Sequence, residues 1–238
     1  IPVVGVTPYM QVEIEDEDSL TERFNLTNEG TDADGRIGLV DIAVIRTPRI
    51  SNFTDFMLLE NAPGVNLRYV KNPRELGSPD MIILPGTKNT MEDLLWMREN
   101  GLEARILKEA ANGKLIFGIC GGYQMLGETL SDPYQVEAGG TIKGMGLLPM
   151  DTVFAKKKTR TRVEGFFGHL EGSYRQLGGT RLEGYEIHMG ETILKGNAKP
   201  ATSIEDSVTG EQKQDGAYLE NVCGTYVHGV FDKEAVAE

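Results

Sequence analysis

Cysteine is scarce in this sequence of 238 residues, in which only Cys120 and Cys223 occur. Two cysteines do not supply a framework of several disulfides, and they fit a reducing cytoplasm. The sequence also lacks an apolar run long enough to cross a membrane, and it has no signal peptide with a basic start and a small-residue cleavage site. We therefore expect a cytoplasmic protein without a membrane partner.

Positive charge is also in short supply, because 24 Lys and Arg residues stand against 36 Asp and Glu residues and the net charge is −12. A surface of this sign repels a phosphate backbone. The one basic cluster is local and consists of Lys156, Lys157, Lys158, Arg160 and Arg162. Nucleic acid is therefore not an expected partner.

The remaining composition suits one large domain or one and a half, because 39% hydrophobic residues can fill a substantial core. Residues 1–6 are typical of a strand entered midway, and no initiator methionine precedes them. We expect the chain to be a piece of a longer protein. The acidic run at 13–18 is typical of a solvated linker or a first helical turn, and its spacing matches no metal-site pattern.

Strand and helix patterns alternate in the first half of the chain. The predicted strands are 41–45, 65–70, 80–86 and 114–120, and the predicted helices begin near 53, capped by Ser51 or Asn52, and span 91–99 and 102–111. This alternation predicts an α/β, flavodoxin-like, mostly parallel sheet with helices on both faces. Ligands bind such sheets beyond the carboxyl ends of the strands, where Gly86 and Cys120 both lie.

The part of the chain from Gly139 onward is rich in short β-like runs separated by glycine. These runs are 150–155, 162–166, 184–188 and 222–227. They predict antiparallel additions to the main sheet or a small β-layer beside it. Neither a P-loop nor a dinucleotide-binding glycine pattern occurs, since residues 86–89 (GTKN) lack the earlier glycine and the following Ser or Thr.

Cys120 directly follows an apolar run, LIFGI, that is typical of a strand. Gly121 and Gly122 permit a sharp turn and the close approach of a ligand. A helix after this turn would point its N-terminal amides at the sulfur and favour the thiolate. A strand-to-helix turn of this kind also exposes the serine nucleophile of many hydrolases. We interpret Cys120 as a nucleophile; the alternative is a small buried residue that closes a core strand.

A nucleophilic cysteine needs a base, and the candidates are His169, His188 and His228. His228 lies where an apolar strand meets Gly229 and would project at a sheet edge, as Cys120 does. There it could hold the thiolate and protonate an amine leaving group. The alternative for His228 is a hydrogen bond within a turn. His188 ranks second because it can line the same cleft, and His169, in a glycine-rich loop, ranks last.

Five segments together resemble a known family. They are residues 118–127 (GICGGYQMLG), 84–90 (LPGTKNT), 226–229 (YVHG), 48–56 (PRISNFTDF) and 185–190 (YEIHMG). The sequence is identified as similar to the class I glutamine amidotransferase domains of the cobyric acid synthase group over nearly its whole length. The resemblance divides the chain into 1–36, the tail and linker of a preceding synthetase domain, and 37–238, the amidotransferase domain.

This resemblance implies that the domain hydrolyses glutamine with Cys120 as nucleophile and His228 as base and later acid. The backbone N–H groups of Gly86 and Gly121 match the oxyanion hole of the family. Ammonia would pass to an N-terminal synthetase domain of the same polypeptide, which amidates adenosylcobyrinic acid a,c-diamide, a corrinoid, using ATP and magnesium. No cofactor or metal is implied for this fragment itself.

Two further positions match residues that hold the substrate glutamine. Gln124, four residues after the cysteine, matches a residue of the binding pocket. Arg162, or else Arg160, would pair with the α-carboxylate of glutamine, and the alternative for both is an exposed basic turn.

One position departs from the wider superfamily, because Val230 stands where a glutamate usually follows the histidine by two residues. The cobyric acid synthase group shares this gap, so the departure fits the resemblance. Without an orienting carboxylate, however, we expect His228 to be poorly held and the isolated domain to hydrolyse glutamine slowly. Asp232 and Glu186 are candidate substitutes, and the sequence favours neither.

Three alternatives to this function remain open from the sequence. Two are sibling enzymes, cobyrinic acid a,c-diamide synthase and the glutaminase subunit that amidates a cell-wall lipid precursor. The third is a non-catalytic docking module on the same fold, in which Cys120 would be unreactive. Residues 49–55 (RISNFTD) and the leader at 1–20 favour the cobyric acid synthase group.

Overall fold

The computed structural model describes residues 40–237, which form two β-sheets with short and medium-length helices. The strands are β1 (Val40–Ile45), β2 (Val65–Val70), β3 (Met81–Leu84), β4 (Leu115–Ile119), β5 (Thr129–Asp132), β6 (Gly140–Lys143), β7 (Met150–Phe167), β8 (Arg181–Leu194), β9 (Thr202–Asp206), β10 (Gln212–Asp215), β11 (Ala217–Leu219), β12 (Val222–Thr225) and β13 (Val227–His228). The helices are α1 (Met57–Asn61), α2 (Pro73–Leu76), α3 (Thr90–Asn100), α4 (Leu102–Ala111), α5 (Gly121–Met125) and α6 (Glu234–Ala237), with 3₁₀ turns at Phe53–Phe56 and Gly172–Leu177.

The first sheet has the strand order β11-β12-β4-β3-β1-β2. Its strands pair in parallel except at the edge, where β11 runs antiparallel to β12. The central strands read as continuous apolar runs and are almost fully buried, as strands covered on both faces should be. The mostly parallel sheet confirms the predicted α/β class.

The second sheet is mainly antiparallel and has the order β10-β9-β7-β5-β6, with β8 pairing both β7 and β13. Its longest element is the antiparallel ribbon of β7 and β8. The register of this ribbon shifts between Phe154, which faces Gly190, and Thr159, which faces His188. The additional residues of β7 therefore bulge outward at 155–158, where the sequence has its run of three lysines. This sheet confirms the antiparallel β additions predicted for the C-terminal part.

The parallel strands β3, β4 and β12 are direct neighbours, with β4 in the middle. Gly86 lies just past the end of β3, Cys120 directly follows β4, and His228 lies three residues beyond β12. Because the carboxyl ends of parallel strands meet at one edge of the sheet, the three residues converge there. The edge predicted from the sequence is therefore the edge where the fold gathers them.

The predictions for residues 1–36, including the linker and the acidic run at 13–18, lie outside the described residues. Across residues 40–237, no helix is long and apolar enough to cross a membrane.

Candidate active site

Cys120 occupies a strained turn between β4 and α5. Its backbone has φ 50° and ψ −108°, a conformation that non-glycine residues rarely adopt. The turn is fixed from both sides, because Cys120 N–H donates to the carbonyl of Thr225 at 2.8 Å and Gln124 N–H donates to the carbonyl of Cys120 at 3.0 Å. Backbone strain of this kind is typical of the strand-to-helix turns that expose a nucleophile in other enzymes.

Glycines allow the elements around Cys120 to pack closely. A Cβ atom on Gly86 would lie 2.7 Å from Cε1 of His228, and one on Gly121 would lie 2.6 Å from Cγ2 of Thr87. Both distances are shorter than real Cβ contacts, so a side chain at either position would displace His228 or Thr87. Gly121 is also the first residue of α5, and its N–H therefore has no partner within that helix. Gly86 and Gly121 thus both lie beside the Cys120–His228 centre.

His228 is held by a carboxylate that the sequence analysis did not identify. Its Nδ1 lies 2.7 Å from Oδ2 of Asp55, and Oδ1 of the same carboxylate accepts the N–H of Gly229 at 2.8 Å. Asp55 and His228 are each only 1% exposed. Since a carboxylate accepts hydrogen bonds, Nδ1 carries the proton, and Nε2 is the nitrogen left for chemistry. The ring of Tyr185 stacks on the imidazole with centroids 5.2 Å apart.

The charge of Asp55 also changes the protonation of His228. Burial by itself lowers the pKa of His228, but the charge and hydrogen bond of Asp55, together with the sulfur of Cys120, outweigh burial and raise this pKa from 6.5 to about 10. An imidazole that keeps its proton at neutral pH can donate it to a leaving amine.

Asn52 completes the surroundings of the imidazole. It has φ 58°, and its side-chain Nδ2 lies 3.2 Å and 3.1 Å from the two ring nitrogens of His228. The sequence analysis expected Ser51 or Asn52 to cap the helix near Phe53. Asn52 does hold the N-cap position, but its side chain makes no capping hydrogen bond because it points to His228 instead.

The two candidate substitutes for the missing glutamate lie elsewhere. Glu186 faces His188 and Lys213 at 3.6 Å and 2.7 Å. Asp232 is exposed, and its N–H donates to the carbonyl of Gly229 at 3.0 Å. The carboxylate that contacts the His228 ring is that of Asp55. The sequence analysis identified residues 48–56 as a segment typical of one family, and Asp55 is the only acidic residue in it. The segment therefore indicated a functional region, but it did not indicate that Asp55 contacts His228.

A cavity of about 380 Å³ opens at the Cys120–His228 centre. Gln124 lies in its wall and is held in place, because Thr90 Oγ1 donates to its Oε1 at 3.0 Å and its Nε2 donates to the hydroxyl of Tyr226 at 3.2 Å. Cys120 Sγ lies 3.7 Å from the carbonyl of Ile187 on β8. The cavity is large enough for a single amino acid, and Cys120 is only 7% exposed.

Charged groups at this cavity differ from those expected. Lys88, Lys158 and Glu137 line it, whereas Arg162 and Arg160 are exposed on β7 and do not belong to its lining. Lys158 reaches the cavity because it lies in the bulge of β7. Burial raises the pKa of Glu137, whose carboxylate also accepts the N–H of Met91 at 3.0 Å.

The other two histidines do not replace His228. His188 lines the cavity, but its Nδ1 lies 2.9 Å from the carbonyl of Gly190 and its ring stacks on Tyr226 with centroids 3.8 Å apart. His169 is exposed and lies outside the cavity lining.

Comparisons with known proteins agree with this geometry. Residues 41–236 match the model of the CobB/CobQ-like glutamine amidotransferase domain. The chain is 56% identical to cobyric acid synthase of Ruminiclostridium cellulolyticum, covering 99% of this chain and 45% of that protein. It is 50% identical to cobyric acid synthase of Lachnoclostridium phytofermentans, covering 100% of this chain and 46% of that protein. The chain therefore spans slightly less than half the length of these relatives.

Solved structures support the fold. The structure of PurLQS from Thermotoga maritima aligns with a TM-score of 0.57 at 21% identity, covering 82% of this chain and 91% of that chain. A structure described as a glutamine amidotransferase aligns with a TM-score of 0.56 at 14% identity. The match of the family model to nearly all described residues shows that the chain belongs to the CobB/CobQ-like glutamine amidotransferase domain family.

Proposed function

We propose that this chain is the glutaminase part of a cobyric acid synthase. In this function it hydrolyses glutamine through a thioester on Cys120 and supplies ammonia for amide formation in cobalamin biosynthesis. The observation that supports the proposal most directly is the convergence of strained Cys120, His228 and Asp55 at one edge of the parallel sheet.

The reaction begins when the Cys120 thiolate attacks the side-chain amide carbon of glutamine. The oxygen of the resulting tetrahedral intermediate receives hydrogen bonds from the N–H groups of Gly86 and Gly121, each of which stabilises the transition state by roughly 3–4 kcal/mol. His228 gives a proton to the amide nitrogen, the carbon–nitrogen bond breaks, and ammonia leaves a glutamyl thioester.

Water completes the turnover. His228, now neutral at Nε2, takes a proton from water as the water oxygen attacks the thioester carbon. The carbon–sulfur bond breaks, the new carboxyl group releases the second proton of the water to solvent, glutamate leaves, and the Cys120 thiolate and the protonated imidazole are restored. During thioester formation and during thioester hydrolysis, Asp55 accepts the hydrogen bond from Nδ1–H of His228, so Nε2 of His228 remains directed at the reacting atoms. Asp55 thereby takes the role left open by Val230.

Binding of glutamine involves the polar wall of the cavity. Gln124 is held by Thr90 and Tyr226 and lines the same cavity as Cys120. Lys158 and Lys88 are the cations in the cavity lining, and we assign the α-carboxylate of glutamine to Lys158, which lies in the bulge of β7; Arg162 does not line the cavity. Glu137 is the corresponding acidic group for the α-amino group.

The remaining parts of the proposal follow from the relatives. Cobyric acid synthases are about twice as long as this chain, so ATP, magnesium and the corrinoid adenosylcobyrinic acid a,c-diamide would bind in a synthetase domain that the chain does not cover. A cytoplasmic location fits such a biosynthetic enzyme. The relatives at 56% and 50% identity favour this assignment over cobyrinic acid a,c-diamide synthase and over a cell-wall glutaminase subunit.

Covalent capture tests the glutaminase assignment. A diazoketone analogue of glutamine should label Cys120 and not Cys223, because Cys223 is fully buried and burial raises the pKa of its thiol. Cys223→Ser is the matched control and should label as the unchanged chain does. Labelling that glutamine does not slow, or that falls on Cys223, would contradict a glutamine pocket at Cys120.

A further inference from the structure

Two loops at the candidate active site are joined to each other. The loop 86–88 follows β3 and begins with Gly86, an oxyanion donor in the proposed function, and the segment 49–51 leads into the turn that orients the catalytic histidine. An antiparallel bridge between Ile50 and Thr87 and two backbone hydrogen bonds of 2.9 Å and 3.0 Å pair these loops. A shift of either loop would therefore be transmitted to the other.

A single carboxylate binds both of the paired loops. Asp93 lies in the first turn of α3 and is fully buried. Its Oδ2 accepts hydrogen bonds from the hydroxyl of Thr87 at 2.6 Å and from the N–H of Arg49 at 3.2 Å, and its Oδ1 accepts from the guanidinium of Arg49 at 3.3 Å. A buried carboxylate is costly without such donors, so the contacts hold both loops against α3. No step of the proposed hydrolysis involves Asp93.

The hydroxyl of Thr87 has one proton, and the distances show which acceptor receives it. The carbonyl of Arg49 lies 3.1 Å from this oxygen, but Oδ2 of Asp93 is nearer, at 2.6 Å. The same oxygen accepts the N–H of Asn89 at 3.2 Å. A hydroxyl that donates to a carboxylate and accepts from a backbone N–H has a fixed orientation. The side chain that follows Gly86 is therefore held from two directions.

The methyl group of Thr87 contacts the second oxyanion donor. A Cβ atom on Gly121 would lie 2.6 Å from Cγ2 of Thr87 and 3.3 Å from its backbone nitrogen, so Thr87 lies directly against the backbone of Gly121. Its own backbone continues from Gly86. Thr87 therefore touches both peptide units that supply the oxyanion N–H groups, while its hydroxyl is turned toward Asp93.

We propose that Asp93 is a positioning residue for the oxyanion hole and that it acts through the hydroxyl of Thr87. The inference rests on the proposed function and adds to it the group that keeps the N–H of Gly86 directed at the tetrahedral intermediate. Oxyanion donors stabilise the transition state because they are preorganised, and loss of one donor lowers kcat by about 10²–10³-fold. A rotation of loop 86–88 would misplace such a donor without removing it. Arg49, bound to the same carboxylate, holds the histidine-orienting segment against this loop.

Matched threonine variants test the proposal in the longer protein that contains this chain. Thr87→Val removes the hydroxyl and keeps the shape of the side chain. It should lower kcat and kcat/KM for glutamine equally, by on the order of 10–100-fold, because a misplaced oxyanion donor affects only the transition state. Thr87→Ser keeps the hydroxyl and should retain most of the activity. Thr47→Val is the control and should leave kcat unchanged, since the buried hydroxyl of Thr47 has no hydrogen-bond partner among the described residues.

Two further measurements distinguish positioning from a general loosening of the fold. On a Cys120→Ala background, which binds glutamine without turnover, Thr87→Val should leave the Kd for glutamine unchanged in calorimetry. The alkaline limb of the kcat/KM profile should also keep its position, because Asp55 still contacts His228. A weaker Kd would show that the pocket is disturbed, and movement of the limb would show that His228 is disturbed. Either result would overturn the proposal.

A double variant tests whether Asp93 acts through Thr87. Asp93→Asn places an N–H donor where a carboxylate oxygen accepts, so it breaks part of the same contact. Thr87→Val should therefore add little further loss of kcat to Asp93→Asn, whereas losses that multiply would show that Asp93 acts by another route. If Asp93→Asn does not fold, the Thr87 variants alone decide the question. Absence of glutamine hydrolysis by the unchanged protein would contradict the proposed function itself, whereas activity that Thr87→Val leaves intact would contradict only the positioning role.

Discussion

The carboxylate of Asp55 lies 2.7 Å from Nδ1 of His228, although 173 residues separate the two in the sequence. Asp55 comes from the 3₁₀ turn after β1, and His228 from the end of β13. The carboxylate also accepts the N–H of Gly229, so it fixes both the ring and the backbone that carries it. The acid that orients the histidine is therefore supplied from the first part of the sheet, where β3 separates β1 from the cysteine strand.

Replacement of the sulfur tests the nucleophile. We expect Cys120→Ser to abolish glutamine-dependent amidation in the longer protein, because a serine hydroxyl is far less ionised at neutral pH and no thioester forms. Added ammonia should still support the reaction. Glutamate and amide production are measured with each nitrogen source, and undiminished use of glutamine by the variant would contradict the assignment.

The two cavity histidines should differ in effect. We expect His228→Ala to lose glutaminase activity, because Asp55 holds Nδ1 of His228 and leaves its Nε2 to transfer the proton at Cys120. His188→Ala should retain a measurable fraction, since the Nδ1 of His188 is engaged with Gly190. Steady-state glutamate production distinguishes the two. The opposite order would mean that His188 is the acid and base.

Removal of the Asp55 charge should slow the reaction. We expect Asp55→Asn to lower kcat for glutamine by on the order of 10²–10⁴-fold, because the imidazole loses its preferred tautomer. Since Asp55 raises the pKa of His228, the alkaline limb of the kcat/KM profile should also move to lower pH. Asp232→Asn is the control. A loss of rate without any movement of the limb would indicate a purely structural role.

The Asp55–His228 pair should stabilise the fold in a specific pH window. Because the pKa of His228 rises from 6.5 to about 10 on folding, the stabilisation is fully present below the unfolded value and is lost as the pH rises through the folded value. The difference in free energy of unfolding between the unchanged chain and Asp55→Asn should therefore be largest at about pH 6.5 and should shrink as the pH rises toward about 10. Urea titrations at a series of pH values measure it, and a difference that grows with pH would contradict the ion pair.

Substrate binding can be assigned with three single variants of β7. We expect Lys158→Ala to raise KM for glutamine by roughly tenfold or more, the range for loss of one charge-assisted hydrogen bond. Lys157→Ala and Arg162→Ala should change KM little, because neither residue lines the cavity. A large rise in KM with Arg162→Ala alone would show that Arg162, and not Lys158, pairs with the α-carboxylate of glutamine.

The position of the catalytic edge could be predicted from the sequence because it follows from local patterns. Apolar runs that end in glycine identify strands buried on both faces, and parallel strands present their carboxyl ends together. Cys120, Gly121 and Gly86 could therefore be placed at one edge from these signals. His228 followed from the same reasoning, since it comes directly after the predicted apolar run 222–227; in the structure it is the last residue of β13. The bounds of α4 and β2 agree with the predicted spans for the same reason.

Tertiary structure alone decided which side chains complete the site. Asp55 reaches His228 across the sheet through a turn whose residues carry no periodic signal, and an acid 173 residues away could not be chosen over the nearer Asp232 or Glu186. The expectation of a poorly held histidine rested on Val230 and did not include this contact. The bulge in β7 likewise decided that Lys158 faces the cavity while Arg162 does not. Sequence patterns record the burial and direction of each element, whereas these contacts depend on how separate elements are placed against each other.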